Sequence, residues 1–318
     1  MKYALILLAA IASQMTARAI PIPPQVTKVI GFIYSPDPAT GRPEPAGTCF
    51  LIAVPTNKDP SRLWIYAVTN KHVLLNEQTK SWFSQIWVRL NTRGGRSQLV
   101  PIQLETSIVT QNLFPSHEPG TDLALIMLPD LSRFDVSALG TNDLTAASQM
   151  TQMNIAPGTD LFFSGMFSEY LGNTRIEPIV RFGRVAMIPE GKVLFGGVAE
   201  DLILAEVFSF GGNSGSPVFY YQGIDRSPGS VIVGTPIVKL AGVMQGFFPG
   251  NEHPYGEAAG SLGQPTISAR SPSKKTPSGS MPAEGIPLFP PNSGIAAIIP
   301  AQKILDVLDY TELKIQQR

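Results

Sequence analysis

The chain has one cysteine and three histidines in 318 residues. One cysteine excludes an internal disulfide framework, and so few histidines are a poor basis for a closed Cys/His zinc site. An excess of one charge is missing too, since 24 Lys and Arg stand against 24 Asp and Glu. That balance leaves no electrostatic footprint for nucleic acid or an anionic membrane surface. Charged residues make up only 15% of the chain, below the roughly 25% of an average soluble domain. No apolar run reaches the roughly 20 residues that a spanning helix needs. The chain does have 43% hydrophobic residues, which makes it globular rather than disordered. It also has 29 Gly and 29 Pro, and it is long enough for two domain-sized cores.

At the start of the chain, Lys2 precedes the apolar run Tyr3–Ala12, and Ala17-Arg18-Ala19 offers the small-x-small pattern that a signal peptidase accepts. This predicts a signal peptide over residues 1–19 and an exported, periplasmic or secreted protein without a membrane segment once the signal is cleaved. The alternative is an N-terminal anchor, but the run of about ten residues is too short to span a bilayer. An exported chain that does without disulfides fits a bacterial source. Cys49 lies in the apolar run Thr48-Cys49-Phe50-Leu51-Ile52, where it reads as a small buried hydrophobe rather than a nucleophile.

Residues 20–45 carry seven prolines, from Pro21 to Pro45, and read as an extended, Pro-rich lead-in. Short β-branched and aromatic segments follow, separated by turn residues: 47–54, 63–69, 85–90, 98–104 and 123–128, then 161–164, 179–188, 202–208, 217–221, 231–233, 240–248 and 294–299. Such a series predicts all-β sandwiches or barrels rather than βαβ units. It falls into two groups, about 46–135 and about 155–300. Residues 249–294 contain 9 Pro, 7 Gly and 7 Ser, too few apolar groups to offset the entropy of ordering, and 249–293 is expected to be a flexible insertion between two strands. After Pro300 the period changes, and Ile304, Leu305, Leu308 and Ile315 would share one face of a C-terminal helix over 301–315, with Pro300 suited to its start.

Chemistry concentrates in Phe210-Gly211-Gly212-Asn213-Ser214-Gly215-Ser216-Pro217-Val218. A glycine at 212 permits φ > 0, so that successive N–H groups can converge on one point, as an oxyanion hole requires. An ordinary Gly-rich hairpin turn would read the same way. A serine hydroxyl needs a base. Of the three histidines, His72 ends the strand-like 64–69 segment, His117 sits in a polar loop, and His253 lies in the insertion. A lone histidine beside an apolar strand is more often structural than catalytic, and the balance changes only in combination. Asp122, before the apolar Leu123–Leu128, must be partnered if buried; it would serve either as a turn cap or as the carboxylate that orients an imidazole.

Together the segments Ala67-Val68-Thr69-Asn70-Lys71-His72-Val73, Thr121-Asp122-Leu123-Ala124-Leu125 and Gly212-Asn213-Ser214-Gly215-Ser216-Pro217 resemble the trypsin-like (chymotrypsin-fold) serine peptidases. They are most similar to bacterial HtrA-like protease domains without a PDZ domain. The chain order His, Asp, Ser agrees, and Ser293–Pro300 resembles the last strand of these domains. The resemblance covers roughly 45–315 apart from the insertion. It implies two antiparallel six-stranded β-barrels with a C-terminal helix within 46–315. It also implies a serine endopeptidase that works through an acyl-enzyme, with His72 as base, Asp122 as orienter and Ser214 as nucleophile, and with the backbone N–H groups of Gly212 and Ser214 as the oxyanion hole. By the same resemblance, Gln245, Gly246 and Phe247 would pair with an extended polypeptide substrate, and Phe208 would floor the primary specificity pocket and select apolar or small side chains. No metal or organic cofactor is implied.

Two positions depart from the family pattern. Asn213 stands where digestive members have an Asp that pairs with a newly freed N-terminus, so no such activation step is expected. Ser216 stands where the family usually has Gly, which puts the fit of substrate backbone near the turn in question. The alternative reading of the whole is a catalytically silent or autoinhibited peptide-binding protein on the same fold.

Overall fold

A computed structural model describes residues 22–56, 59–107, 110–223, 237–250, 292–310 and 313 of the protein. After a four-residue helix α1 (Gln25–Lys28), the first half holds β1 (Ile30–Pro36), β2 (Pro43–Pro55), β3 (Leu63–Thr69), β4 (Gln85–Asn91), β5 (Ser97–Gln103), β6 (Leu113–Pro115), β7 (Ala124–Met127) and β8 (Leu139–Gly140). The second half holds α2 (Ala147–Gln152), β9 (Asp160–Gly165), β10 (Ile179–Met187), β11 (Val193–Phe195), β12 (Val198–Glu200), β13 (Ile203–Glu206), β14 (Pro217–Gln222), β15 (Ile237–Pro249), β16 (Asn292–Pro300) and α3 (Gln302–Leu308).

The first half is an eight-stranded sheet in the order β5-β4-β1-β2-β3-β7-β6, with β8 lying parallel to β2. Its end strands β5 and β6 are joined by Asn112. That side chain accepts from the Glu105 N–H at 2.8 Å and donates to the Gln103 carbonyl at 2.8 Å, and the Leu113 N–H reaches the Glu105 carbonyl at 3.2 Å. The second half closes entirely through strand ladders, as the six-stranded barrel β10-β13-β16-β15-β14-β9. Beside it, β11 and β12 form a separate hairpin.

Period-2 alternation divides the side chains among three cores. Along β2, Cys49 and Leu51 face the interior of the first half with Ile86, Val88, Leu113 and Ile126. Phe50 and Ile52, on the opposite face, join a core between the halves with Phe162, Phe219, Val243 and Ile299. Leu161, Phe163, Val218, Met244 and Ile298 fill the second barrel. Full burial of each such side chain contributes about 1.5–3 kcal/mol, so the two halves are held together by the same force that folds each of them. The Cys49 thiol is buried, and that burial pushes it up to about 12, so it carries no thiolate at neutral pH.

The structure corrects three sequence boundaries. The expected lead-in 20–45 contains β1, which pairs with both β2 and β4. Its first five residues, Ile30–Tyr34, are all buried, so no alternation marks the strand. Its prolines sit at the strand ends, Pro36 opposite Pro43, where a missing N–H is tolerated. The first sheet accordingly has eight strands, not six, because β1, β6 and the two-residue β8 join the five segments expected there. At the other end, Pro300 is the last residue of β16, paired with Gly242, and the helix begins at Gln302. Ile304, Val307 and Leu308 are its buried face. The expected strand 231–233, the signal peptide, Ile315 and nearly all of the 249–293 insertion lie outside the described residues. Among those residues, no helix is long and apolar enough to cross a membrane.

Candidate active site

The β3–β7 ladder pairs Thr69 with Ala124. Antiparallel pairing therefore lays the end of β3 beside the start of β7, and residues 50 apart in sequence become neighbours. His72 follows β3 on a single 3₁₀ turn, Lys71–Leu74, and Asp122 lies just before β7. The Asp122 carboxylate takes both polar groups of His72, accepting from the backbone N–H at 3.0 Å through Oδ1 and meeting Nδ1 at 2.5 Å through Oδ2. Asn70, fully buried, donates its side-chain amide to the Asp122 carbonyl at 2.8 Å and fixes the backbone there. Burial alone would lower the His72 pKa. The Asp122 charge and hydrogen bond, with Glu77 and Glu200 beyond, overcome it and raise the value. About half of the His72 side chain remains exposed, on the side away from Asp122.

Ser214 sits in the turn between β13 and β14. Gly212 and Gly215 have φ of +90° and +84°, which other residues rarely adopt. A Cβ at 215 would also overlap the Thr48 carbonyl oxygen. Asn213 is buried, and its side chain accepts from the Phe210 N–H at 2.8 Å and donates to the Met166 carbonyl at 2.6 Å. A neutral amide thus anchors the turn with both of its hydrogen-bonding ends. The backbone N–H groups of Gly212 and Ser214 have no acceptor among the described residues. The Ser214 hydroxyl donates to the Gln245 carbonyl at 3.2 Å, and no hydrogen bond joins it to His72.

Ser216 fits because its neighbour makes room. Its hydroxyl lies against Gly165 of β9, where any Cβ would overlap it. Ser216 is fully buried, and its Oγ has no hydrogen-bond partner among the described residues.

Two residues of the site carry no mark in the sequence. Thr48 of β2 ties the Ser214 turn to the first half. Its N–H donates to the Ser214 carbonyl and its hydroxyl to the Gly212 carbonyl, both at 2.8 Å, while that hydroxyl accepts from the Met166 N–H at 2.9 Å. The one available signal is a hydroxyl inside an apolar run, which burial obliges to find partners. Glu200 is the second. It ends β12, is only 4% exposed, and receives the Gln245 side-chain amide on both oxygens at 2.9 and 3.1 Å. Burial pushes its carboxyl up to about 7, with the Asp122 charge adding to the rise.

The expected substrate-facing residues divide. In Gln245 the backbone carbonyl faces Ser214, but the side chain is buried against Glu200. Phe195 of the hairpin lies where a Gly246 side chain would be and packs edge-on against Phe248 at 5.0 Å. Phe247 is half-buried. Phe208 does not lie at the bottom of an enclosed pocket. It is 55% exposed, close to Gly294 and stacked on Phe210, and exposure follows from a neighbouring ring that covers only one of its faces. His117 is engaged elsewhere, stacked at 4.1 Å on Tyr310 after α3, with its N–H on the Tyr310 hydroxyl. His253 lies outside the described residues. Among the described residues no group of three or more His, Cys, Asp or Glu is placed to hold a metal ion.

A mostly β chain with a closed six-stranded barrel, a companion sheet, a terminal helix and a site between the halves has the chymotrypsin-like double-barrel fold. Among solved structures it is similar to the protease domain of MamO from Magnetospirillum magneticum in its apo form. The two share 17% identity over 90% of this chain and 98% of that one, with a TM-score of 0.47. No protein-family model and no curated protein matches the sequence.

Proposed function

We propose that the chain is an exported serine endopeptidase of the trypsin-like class, akin to the HtrA-like branch. The observation that carries this reading is an Asp122-bound His72 beside a Ser214 turn, the two meeting at Gly47, where a Cβ would touch both Val73 and the Ser214 carbonyl, with two backbone N–H groups of the turn that have no acceptor among the described residues. In the reaction the Ser214 hydroxyl leaves the Gln245 carbonyl, gives its proton to His72 Nε2 and attacks the peptide carbonyl. Asp122 holds the imidazole tautomer and steadies the imidazolium. The Gly212 and Ser214 N–H groups receive the oxyanion, a contribution of about 3–4 kcal/mol per donor. His72 then protonates the leaving amine, and water releases the acyl-enzyme. An extended polypeptide would pair with β15 at Gln245–Phe247, its side chains meeting Phe208 and Phe210. Export is supported by the pattern over residues 1–19.

The test is labelling by a fluorophosphonate probe. Wild-type protein should be labelled at Ser214, and Ser214→Ala should lose the label together with peptide cleavage, a fall of about 10⁴-fold or more. Folded wild-type protein that takes no label would defeat the reading. It would favour the alternative, a silent peptide binder, to which the hydroxyl's bond to Gln245 rather than His72 lends support.

A further inference from the structure

Behind the Asp122–His72 pair lies a second buried carboxyl group with no part in the mechanism above. Glu200 arrives on the β11–β12 hairpin, which packs between the Asp122 loop and β15. A Cβ at Gly120 would meet Val198, Ala199 and Glu200, and one at Gly246 would meet Phe195. Ion pairs hold the hairpin there: Lys303 of α3 contacts Glu118 at 2.5 Å and Asp201 at 2.8 Å, and Lys192 contacts Glu118 at 3.0 Å.

We propose that Glu200 is a positioning residue of the site, fixing through the Gln245 side chain the carbonyl that holds the Ser214 hydroxyl, and placing a second negative charge behind the His72 imidazole. The tether is a chain of bonds, buried from Glu200 to the Gln245 amide and part-buried from Ser214 Oγ to the Gln245 carbonyl. The groups facing Glu200 are the Asp122 carboxylate, the Lys71 ammonium and the Gln245 amide, with His72 within its field. Lys71 gives its own hydrogen bond to the Ser116 carbonyl at 2.8 Å, and burial lowers its pKa, so it offsets the two carboxylates only in part. Burial pushes the Glu200 carboxyl up to about 7, so its charge is gained as the pH rises through that value, and it adds to the charges that raise the His72 pKa.

The sign follows directly. A charged Glu200 favours the imidazolium, so its removal lowers the His72 pKa. The acid limb of kcat/KM, which requires neutral His72, then moves to lower pH. In Glu200→Gln, a neutral isostere, both the limb and the NMR titration of the His72 ring should shift down by about half a pH unit or more. A purely structural Glu200 would leave both in place, and that result would overturn the inference. Wild-type protein supplies a second measurement if the variant misfolds. The His72 ring should titrate in two overlapping steps, one its own and one that of Glu200, and a single step would overturn the inference. Its effect on rate rests on the peptidase reading, but the ring titration needs no substrate. A protein that cleaves nothing yet shows the shift upholds the role of Glu200 and defeats the peptidase reading alone.

Discussion

The two halves hold comparable cores but finish their sheets differently. The second closes on itself by strand ladders, whereas the first leaves its end strands to be joined by the Asn112 side chain and by backbone N–H groups of Asn112 and Leu113 on the Glu105 carbonyl. The candidate site is divided along the same line. The first half supplies His72 and Asp122 from strand ends, where one ladder register sets the geometry. The second supplies Ser214 from a turn, which is fastened by Met166 and Met244 of its own half and by Thr48 of the first. The pair at the strand ends is set within one half, while the turn takes part of its support from the opposite half.

The largest break in this comparison is expected at Gly215. Gly215→Ala places a Cβ into the Thr48 carbonyl at a φ that alanine avoids. It should cost about 3 kcal/mol or more, read as a fall in Tm together with loss of Ser214 labelling. Next comes Thr48→Val, which keeps the shape but leaves the buried Met166 N–H and Gly212 carbonyl unpaired. About 2–4 kcal/mol should be lost, and labelling of Ser214 should slow while the His72 ring titration stays in place. If the ring titration moved as well, the division between the halves would be wrong. The smallest effect is expected at the seam. Asn112→Ala should cost about 1 kcal/mol and raise amide exchange at Glu105 and Leu113 without changing turnover, and unchanged exchange would mean that the seam closes by other means.

The sequence foretold most where residue type and local pattern coincide. Val68, Leu125 and Phe163 lie in runs whose apolar character calls for buried strands, and His72, Asp122 and Ser214 each lie beside a strand end or a glycine turn that the chain spells out. Ile30–Tyr34 escaped notice because burial on both faces erases alternation and because Pro36 and Pro43 dominate the local composition. Glu200 is hidden for a different reason: Gly197–Ala199 before it read as an exposed hairpin, and its environment comes from residues around 120 and 245. Phe208 matches the pocket floor only through its place in the chain relative to Ser214, and place along a chain does not determine which way a ring turns. Asn213 was legible as an absent charge, but the two hydrogen bonds that take the charge's place became visible only in three dimensions.

The contact between Gly165 and Ser216 has a consequence for any set of related sequences. One small volume is shared between a strand and a turn, so a side chain occupies it from one side or from the other. Chains that carry glycine at the position of Ser216 can carry alanine at that of Gly165 if the hydroxyl at the position of Thr48 gives by a few tenths of an ångström, and chains with serine at the former are confined to glycine at the latter. The two columns of an alignment should therefore vary together, and the exchange should proceed through the doubly glycine form, which leaves a cavity, rather than through the doubly substituted form, which has nowhere to put its second side chain.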